Sequence, residues 1–192
     1  VNWVEALAVA LALGYVILAI RQHSACWLLS ALASVLYIGI FWKAKLYMES
    51  GLQLLYIALS AYGYWQWQRG RASDAAAVKP LCVTRWPLEV HAACALLVLG
   101  TSAISGYLLA TYSDAAFPYI DSLTTWASVL TTIMVARKVL ENWLYWIAID
   151  AVSGVLYWQR DLHLTAGLFA LYLVLAAIGY VQWNRSFQSQ AR

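Results

Sequence analysis

Apolar runs of similar length recur along the chain, at residues 3–20, 25–42, 47–67, 87–112, 122–136, 143–158 and 164–183. Short charged or turn-forming segments divide them, around Arg21, Lys43 and Lys45, the longer 68–86 stretch, the acidic 113–121 stretch, Arg137 and Lys138, and Arg160 and Asp161. A helix rises ~1.5 Å per residue, so ~20 apolar residues cross the hydrocarbon of a bilayer. Several runs fall slightly short of that, and each is expected to extend about one turn into its flanks. Strands are not expected, because an open sheet edge cannot be satisfied in lipid. The pattern predicts seven transmembrane helices in a single domain spanning residues 1–192.

Composition supports this and excludes other classes. The chain of 192 residues is 64% hydrophobic and 11% charged, with a mean hydropathy of +0.67. A soluble domain carries about 25% charged residues. A chain so poor in charge cannot cover its own surface, which argues against a cytosolic enzyme, a nucleic-acid-binding domain and a disordered segment. The run at 3–20 is long for a signal peptide and lacks a small-residue cleavage site before Arg21, so it is read as a span. The three cysteines (Cys26, Cys82, Cys94) have no metal-like spacing and are read as small apolar fillers. Nine Lys and Arg residues fall in the segments on one side and three on the other. The positive-inside rule then puts the N-terminus outside and the C-terminus in the cytoplasm.

An internal repeat organises the chain. At one ungapped offset of 116 residues, Trp42, Gly51, Tyr56, Gly63, Tyr64, Gln66, Trp67 and Arg69 fall on Trp158, Gly167, Tyr172, Gly179, Tyr180, Gln182, Trp183 and Arg185. The same offset puts Trp27 on Trp143 and Arg21 on Arg137. Helices 1–3 (about 3–69) and 5–7 (about 119–185) thus read as two copies of a three-helix bundle, with the linker and helix 4 (about 70–118) restoring direction. The result is an all-α, 3+1+3 parallel repeat of the SWEET type, in which substrates bind at the repeat interface near the midplane.

Polar groups at depth are costly and mark function. Asn142, Trp146, Asp150, Ser153 and Tyr157 share one face of helix 6, with Asp150 ~11 Å along the axis from Asn142. No Lys or Arg lies at that depth, so Asp150 is expected to face a hydrated cavity or a cationic ligand, or to stay protonated. Helix 3 presents Glu49, Gln53, Tyr56 and Ser60 on one face. The helix 2 equivalents of the helix 6 stripe are Cys26, Ser30, Ser34, Tyr37 and Phe41, polar but uncharged. Thr124, Ser128 and Thr131 on helix 5 read as packing contacts. Trp3, Trp27, Trp42, Trp65, Trp67, Trp86, Trp143, Trp158 and Trp183 lie at span ends and read as interface anchors. Trp146 sits deeper, where an indole beside a carboxylate suits a flat cation. His23, His91 and His163 read as surface or capping residues. Gly51, Gly63, Gly167 and Gly179 are expected to allow close helix contact or bending.

The stretch Trp27-Leu28-Leu29-Ser30, Gln53-Leu54-Leu55-Tyr56 running on to Tyr62-Gly63-Tyr64-Trp65-Gln66-Trp67, and the Asn-Trp-x-x-Trp-x-x-x-Asp run of Asn142, Trp143, Trp146 and Asp150 resemble the PnuC family of bacterial vitamin transporters. The resemblance covers nearly the whole chain and is weakest across 68–120. It implies uptake of nicotinamide riboside, an NAD precursor, across the cell inner membrane by facilitated diffusion. Retention would follow phosphorylation by a cytoplasmic nicotinamide riboside kinase, and the resemblance further implies a homotrimer. Carried onto this chain, the substrate-binding residues are Asn142, Trp146, Asp150, Gln53 and Tyr56, with Trp143 and Tyr37 beside them; no metal or cofactor is implied.

The residues accord with that. Nicotinamide riboside has a planar cationic ring, a carboxamide and a ribose; a phosphorylated substrate would want Arg, Lys or a helix N-terminus at depth, and no Lys or Arg is there. Thiamine, also a flat cation, is the alternative within the family. A retinal photoreceptor would need a lysine inside helix 7, and there is none. No HExxH, GxSxG or Walker A run supports an enzyme or an ATPase.

Overall fold

The computed structural model describes residues 3–43, 47–69, 81–113, 117–159 and 163–190. The side chains of Phe41, Lys43, Glu49, Tyr157 and His163, and the residues Lys45, Arg71, Lys79, Arg160, Asp161 and Arg192, lie outside the described part. Among the described residues seven helices follow in order: α1 Trp3–Ile20, α2 Cys26–Lys43, α3 Tyr47–Arg69, α4 Leu88–Tyr112, α5 Pro118–Ala136, α6 Asn142–Gln159 and α7 His163–Gln190. There is no strand among the described residues beyond an isolated bridge between Thr84 and Val139. Each apolar run became one helix. α5 starts four residues earlier than its run, because Pro118 suits the first helical turn and Asp121 complements the helix N-terminus. α7 continues to Gln190, past the last apolar residue of its run. Tertiary bonds hold this polar end: Ser186 Oγ accepts from Gln22 Nε2 at 3.0 Å, and Gln190 Oε1 from the Val83 N–H at 3.1 Å.

The helices expose apolar surface that a soluble protein would bury. Leu96, Leu97, Leu99, Ile104, Tyr107 and Leu108 of α4 all face outward. Such a surface suits hydrocarbon rather than water. By length and composition alone, Leu88–Tyr112 and the Ala166–Gln190 part of α7 can each cross a membrane.

The chain divides into two compact units. One comprises Val1–Thr84, Thr132–Leu140 and Ile178–Arg192; the other comprises Arg85–Thr131 and Glu141–Ala177. In the first, α2 packs on both α1 and α3. α1 ends in a left-handed cap at Gln22 (φ 55), where the His23 N–H bonds the Leu18 carbonyl at 2.9 Å and the Gln22 N–H bonds Ala19 at 3.0 Å. α5 ends identically at Lys138 (φ 52), with Val139 N–H to Met134 at 2.9 Å and Lys138 N–H to Val135 at 3.0 Å. Every atom pair of one cap has its counterpart 116 residues away in the other. A non-glycine residue in this conformation costs about 1–2 kcal/mol, and here the two side chains offset it: Lys138 Nζ donates to Gln22 Oε1 at 3.3 Å.

Four tryptophans form the core here and in the second unit, not a belt at the membrane surface. Trp27, Trp67, Trp143 and Trp183 are all buried, which corrects their reading as interface anchors, whereas Trp3, Trp42, Trp65 and Trp158 are exposed as that reading requires. Trp67 donates its indole N–H to the Ala136 carbonyl at 3.1 Å, and Trp183 donates to Ala19 and Ile20 at 3.1 and 3.2 Å. The Trp67 ring meets Trp183 at 6.2 Å between centroids and Trp27 edge-on at 5.6 Å. The bonds to Ala136 and Ile20 close carbonyls that the ends of α5 and α1 would otherwise leave open, while the Ala19 carbonyl also accepts the Gln22 N–H. Gly63 is the companion of Trp27: a Cβ there would collide with the indole ring. Gly51 and Gly167 differ, since a Cβ at either meets nothing among the described residues. Neither marks a tight helix contact among the described residues.

In the second unit α4 docks on α5 through small residues. Ser102 and Gly106 are the buried residues of α4. A Cβ on Gly106 would press on the Tyr119 ring at 2.6 Å, and Trp126 Nε1 donates to Ser105 Oγ at 3.1 Å. The hydroxyls of Thr124 and Thr131 turn back onto the Ile120 and Ala127 carbonyls of α5, in keeping with a packing role.

Candidate functional site

α6 carries the principal cluster. Its stripe is inward-facing: Asn142 is fully buried, Trp143 nearly so, Trp146 half-buried, and Asp150 only 7% exposed. Asp150 makes no hydrogen bond or ion pair among the described residues. Ser153 continues the stripe, also buried. An isolated carboxylate in a dry interior is strongly disfavoured.

The start of α6 is clamped. Glu141, the residue before the helix, accepts the Trp86 N–H at 3.4 Å, sits 3.7 Å from Arg85 Nε and 4.0 Å from His91 Nε2. Its own carbonyl receives the Leu144 and Tyr145 N–H groups, at 3.0 and 3.3 Å. One turn on, the Tyr145 hydroxyl is 2.9 Å from His91 Nδ1, and the two rings stack with centroids 5.7 Å apart. His91 is therefore not a surface residue: it lies between Tyr145 and Trp86, whose ring centroid is 5.9 Å away. The reading of His91 from sequence missed this, although Glu141 directly ahead of a motif rich in buried polar groups was a signal. His23 does cap, its Nδ1 accepting the Ala25 N–H at 3.2 Å.

A second cluster lies along α2 and α3. Ser60 Oγ is 2.8 Å from Ser30 Oγ, and Ser50 Oγ donates to the Ile38 carbonyl at 3.2 Å. These two bonds fix an antiparallel register in which Gln53 lies opposite residues 35–37 and Tyr56 opposite residues 32–34. Gln53 is 8% exposed and makes no hydrogen bond among the described residues, while Tyr37 and Tyr56 are half-buried. The site residues expected from sequence thus fall on two stripes, one on α6 in the second unit and one on the α2–α3 seam of the first, each buried or half-buried. Neither stripe contains Lys or Arg. No group of three or more His, Cys, Asp or Glu able to hold a metal occurs among the described residues.

The family model described as nicotinamide mononucleotide transporter matches residues 2–185. The chain is similar to the nicotinamide riboside transporter PnuC of Escherichia coli (22% identical, covering 96% of this chain and 86% of that one). It is similar to the protein of the same name from Neisseria mucosa (23%, 96% and 73%). It is also similar to the riboflavin/roseoflavin transporter RibM of Streptomyces davaonensis (25%, 91% and 79%). The fold matches a crystal structure of the vitamin B3 transporter PnuC with a TM-score of 0.78 over 98% of this chain and 83% of that one, at 18% identity. The chain accordingly belongs to the nicotinamide mononucleotide transporter family, and is a membrane transporter rather than an enzyme.

Proposed function

We propose that this protein takes up nicotinamide riboside by facilitated diffusion through alternating access, the substrate being trapped inside by a cytoplasmic nicotinamide riboside kinase. The observation that carries the proposal is Asp150, a buried carboxylate with no counter-charge among the described residues, on the same helical stripe as the Trp146 indole. A planar pyridinium satisfies both, through Coulomb attraction to the carboxylate and cation–π attraction to the ring. On α6, Asn142 offers an amide for the carboxamide or ribose and Trp143 a second ring; Gln53, Tyr37 and Tyr56 of the α2–α3 seam are carried over as substrate-binding residues from the family resemblance.

Two relatives named for nicotinamide riboside support this substrate; the one named for riboflavin marks the second reading. Riboflavin is uncharged and would leave Asp150 without a counter-charge, so the cation is favoured. The mononucleotide in the family description is disfavoured here, because neither stripe has a Lys or Arg to pair with a phosphate. The protein is read as a multi-pass protein of the inner membrane, with a 3+1+3 parallel repeat, the N-terminus outside and the C-terminus in the cytoplasm. The nine-to-three distribution of Lys and Arg and the paired caps at Gln22 and Lys138 support that arrangement.

Uptake of labelled nicotinamide riboside into proteoliposomes tests it. Saturable uptake is expected, competed by excess unlabelled substrate and weakly by riboflavin, thiamine or nicotinamide mononucleotide. Transport of thiamine or riboflavin with no transport of nicotinamide riboside would overturn the substrate.

A further inference from the structure

The outward side of α3 changes character along its length. Leu54, Ala58 and Ala61 are exposed and apolar, and the same helical line continues to Trp65 and Arg69, also exposed. In a membrane transporter such a line runs from hydrocarbon into headgroups, with an indole at the boundary. The surroundings of that indole come from α3 and the end of α5, all within the first unit. The Arg69 guanidinium lies 4.1 Å from the Trp65 ring centroid, and the Tyr62 ring is 6.3 Å from it. The Tyr62 hydroxyl accepts from Gln66 Nε2 at 2.8 Å and from Arg137 Nε at 3.4 Å. Both its lone pairs are then used, and its own proton has no acceptor among the described residues. Arg69 and Arg137 are exposed, and neither meets a carboxylate among the described residues. Two guanidiniums and a phenol proton thus stand together with no acid to receive them.

The other half of the chain supplies a comparison. At the offset of 116 residues Arg185 corresponds to Arg69, Arg21 to Arg137 and Gln182 to Gln66, but Ile178 and Val181 stand where Tyr62 and Trp65 do. A general attraction of positive charge to a membrane surface would need only the arginines. The two rings, and the hydroxyl turned by Gln66 and Arg137, occur in one half alone.

We propose that Tyr62, Trp65, Arg69 and Arg137 form a binding site for an anionic phospholipid. Its phosphate takes the two guanidiniums and the Tyr62 proton, and its acyl chains lie along the line from Ala61 to Leu54. Planar guanidiniums match phosphate oxygens in geometry as well as charge. The apolar line leading into the donors favours a lipid over a free phosphate, which would make no use of it. Lipid binding here does not depend on which substrate is carried.

Native mass spectrometry of the purified full-length protein in detergent, titrated with phosphatidylglycerol or phosphatidylcholine of identical chains, reads lipid occupancy directly. Wild type is expected to hold phosphatidylglycerol about 10-fold more tightly than phosphatidylcholine. Arg69→Gln combined with Arg137→Gln is expected to weaken phosphatidylglycerol about 30-fold, from about 5-fold for each basic residue. Arg21→Gln combined with Arg185→Gln removes the same charge from the related positions and is expected to change it less than about threefold. Tyr62→Phe keeps the ring and both charges, should cost about 5-fold for the lost hydrogen bond, and decides the matter if the double variant does not fold. Equal losses in the two double variants, a Tyr62→Phe protein indistinguishable from wild type, or no preference for phosphatidylglycerol would overturn the site. Displacement of the bound lipid by millimolar inorganic phosphate or glycerophosphoglycerol would assign these donors to a free anion and overturn the lipid.

Discussion

Asp150→Asn is the most informative single change, because the two quantities it affects should move in opposite directions. The substitution preserves shape and removes one charge from a side chain 7% exposed and unpartnered among the described residues. A pyridinium centred ~5 Å from the carboxylate, at an effective dielectric of ~20, gains about 3 kcal/mol from it. Loss of that term corresponds to about 100-fold in affinity, an upper figure because bound water screens part of it. In the free protein the same charge is a burden, since a buried carboxylate without a partner is disfavoured. Thermal stability of the unliganded variant is therefore expected to stay level or rise. The sharpest assay compares nicotinamide riboside with its reduced 1,4-dihydro form, which has nearly the same shape and no positive charge. Asp150→Asn should weaken the oxidised ligand at least 10-fold more than the reduced one. Equal effects on both, or a melting temperature lowered by several degrees, would refute the claim that this carboxylate serves a cation.

Two further outcomes follow from the geometry. Trp146→Ala should weaken nicotinamide riboside by about 30-fold, the equivalent of ~2 kcal/mol of desolvated cation–π attraction, with Trp146→Phe retaining part of it; affinities measured by calorimetry check this, and a loss below twofold counts against the ring as a ligand contact. Gly63→Ala forces a methyl against the Trp27 ring and should cost about 1–3 kcal/mol. Gly51→Ala meets open space and should cost little, so thermal unfolding in detergent separates the two, and equal shifts would contradict the packing described.

The helix limits were legible because charges and turn residues interrupt the apolar runs wherever the chain leaves the membrane. The tryptophans were not, for a physical reason: an indole at a span end has the same composition whether it faces headgroups or a glycine on the next helix. The signal that separates them was in the repeat. Trp27 and Gly63 recur together as Trp143 and Gly179, and a lipid-facing ring needs no matched glycine. The α6 stripe followed from spacing alone. Which of its members lacked a partner did not, because hydrogen bonding depends on neighbours far away in sequence. The same holds for His91, whose stacking on Tyr145 joins residues 54 positions apart. Nor could spacing reveal the caps at Gln22 and Lys138, where glycine is the usual choice and side-chain bonding takes its place.

Residues that touch their own counterparts are subject to a rule no other position obeys. Trp67 against Trp183 is an acceptable self-pair, because one indole can offer its edge to another's face. Two amides can also pair with themselves; two ammonium groups repel. At Gln22 and Lys138 a lysine is therefore tolerable in only one of the two halves, and the bond between them exists because the halves differ there. Mirrored lysines would push the joint apart, whereas mirrored glutamines would leave it closed and uncharged.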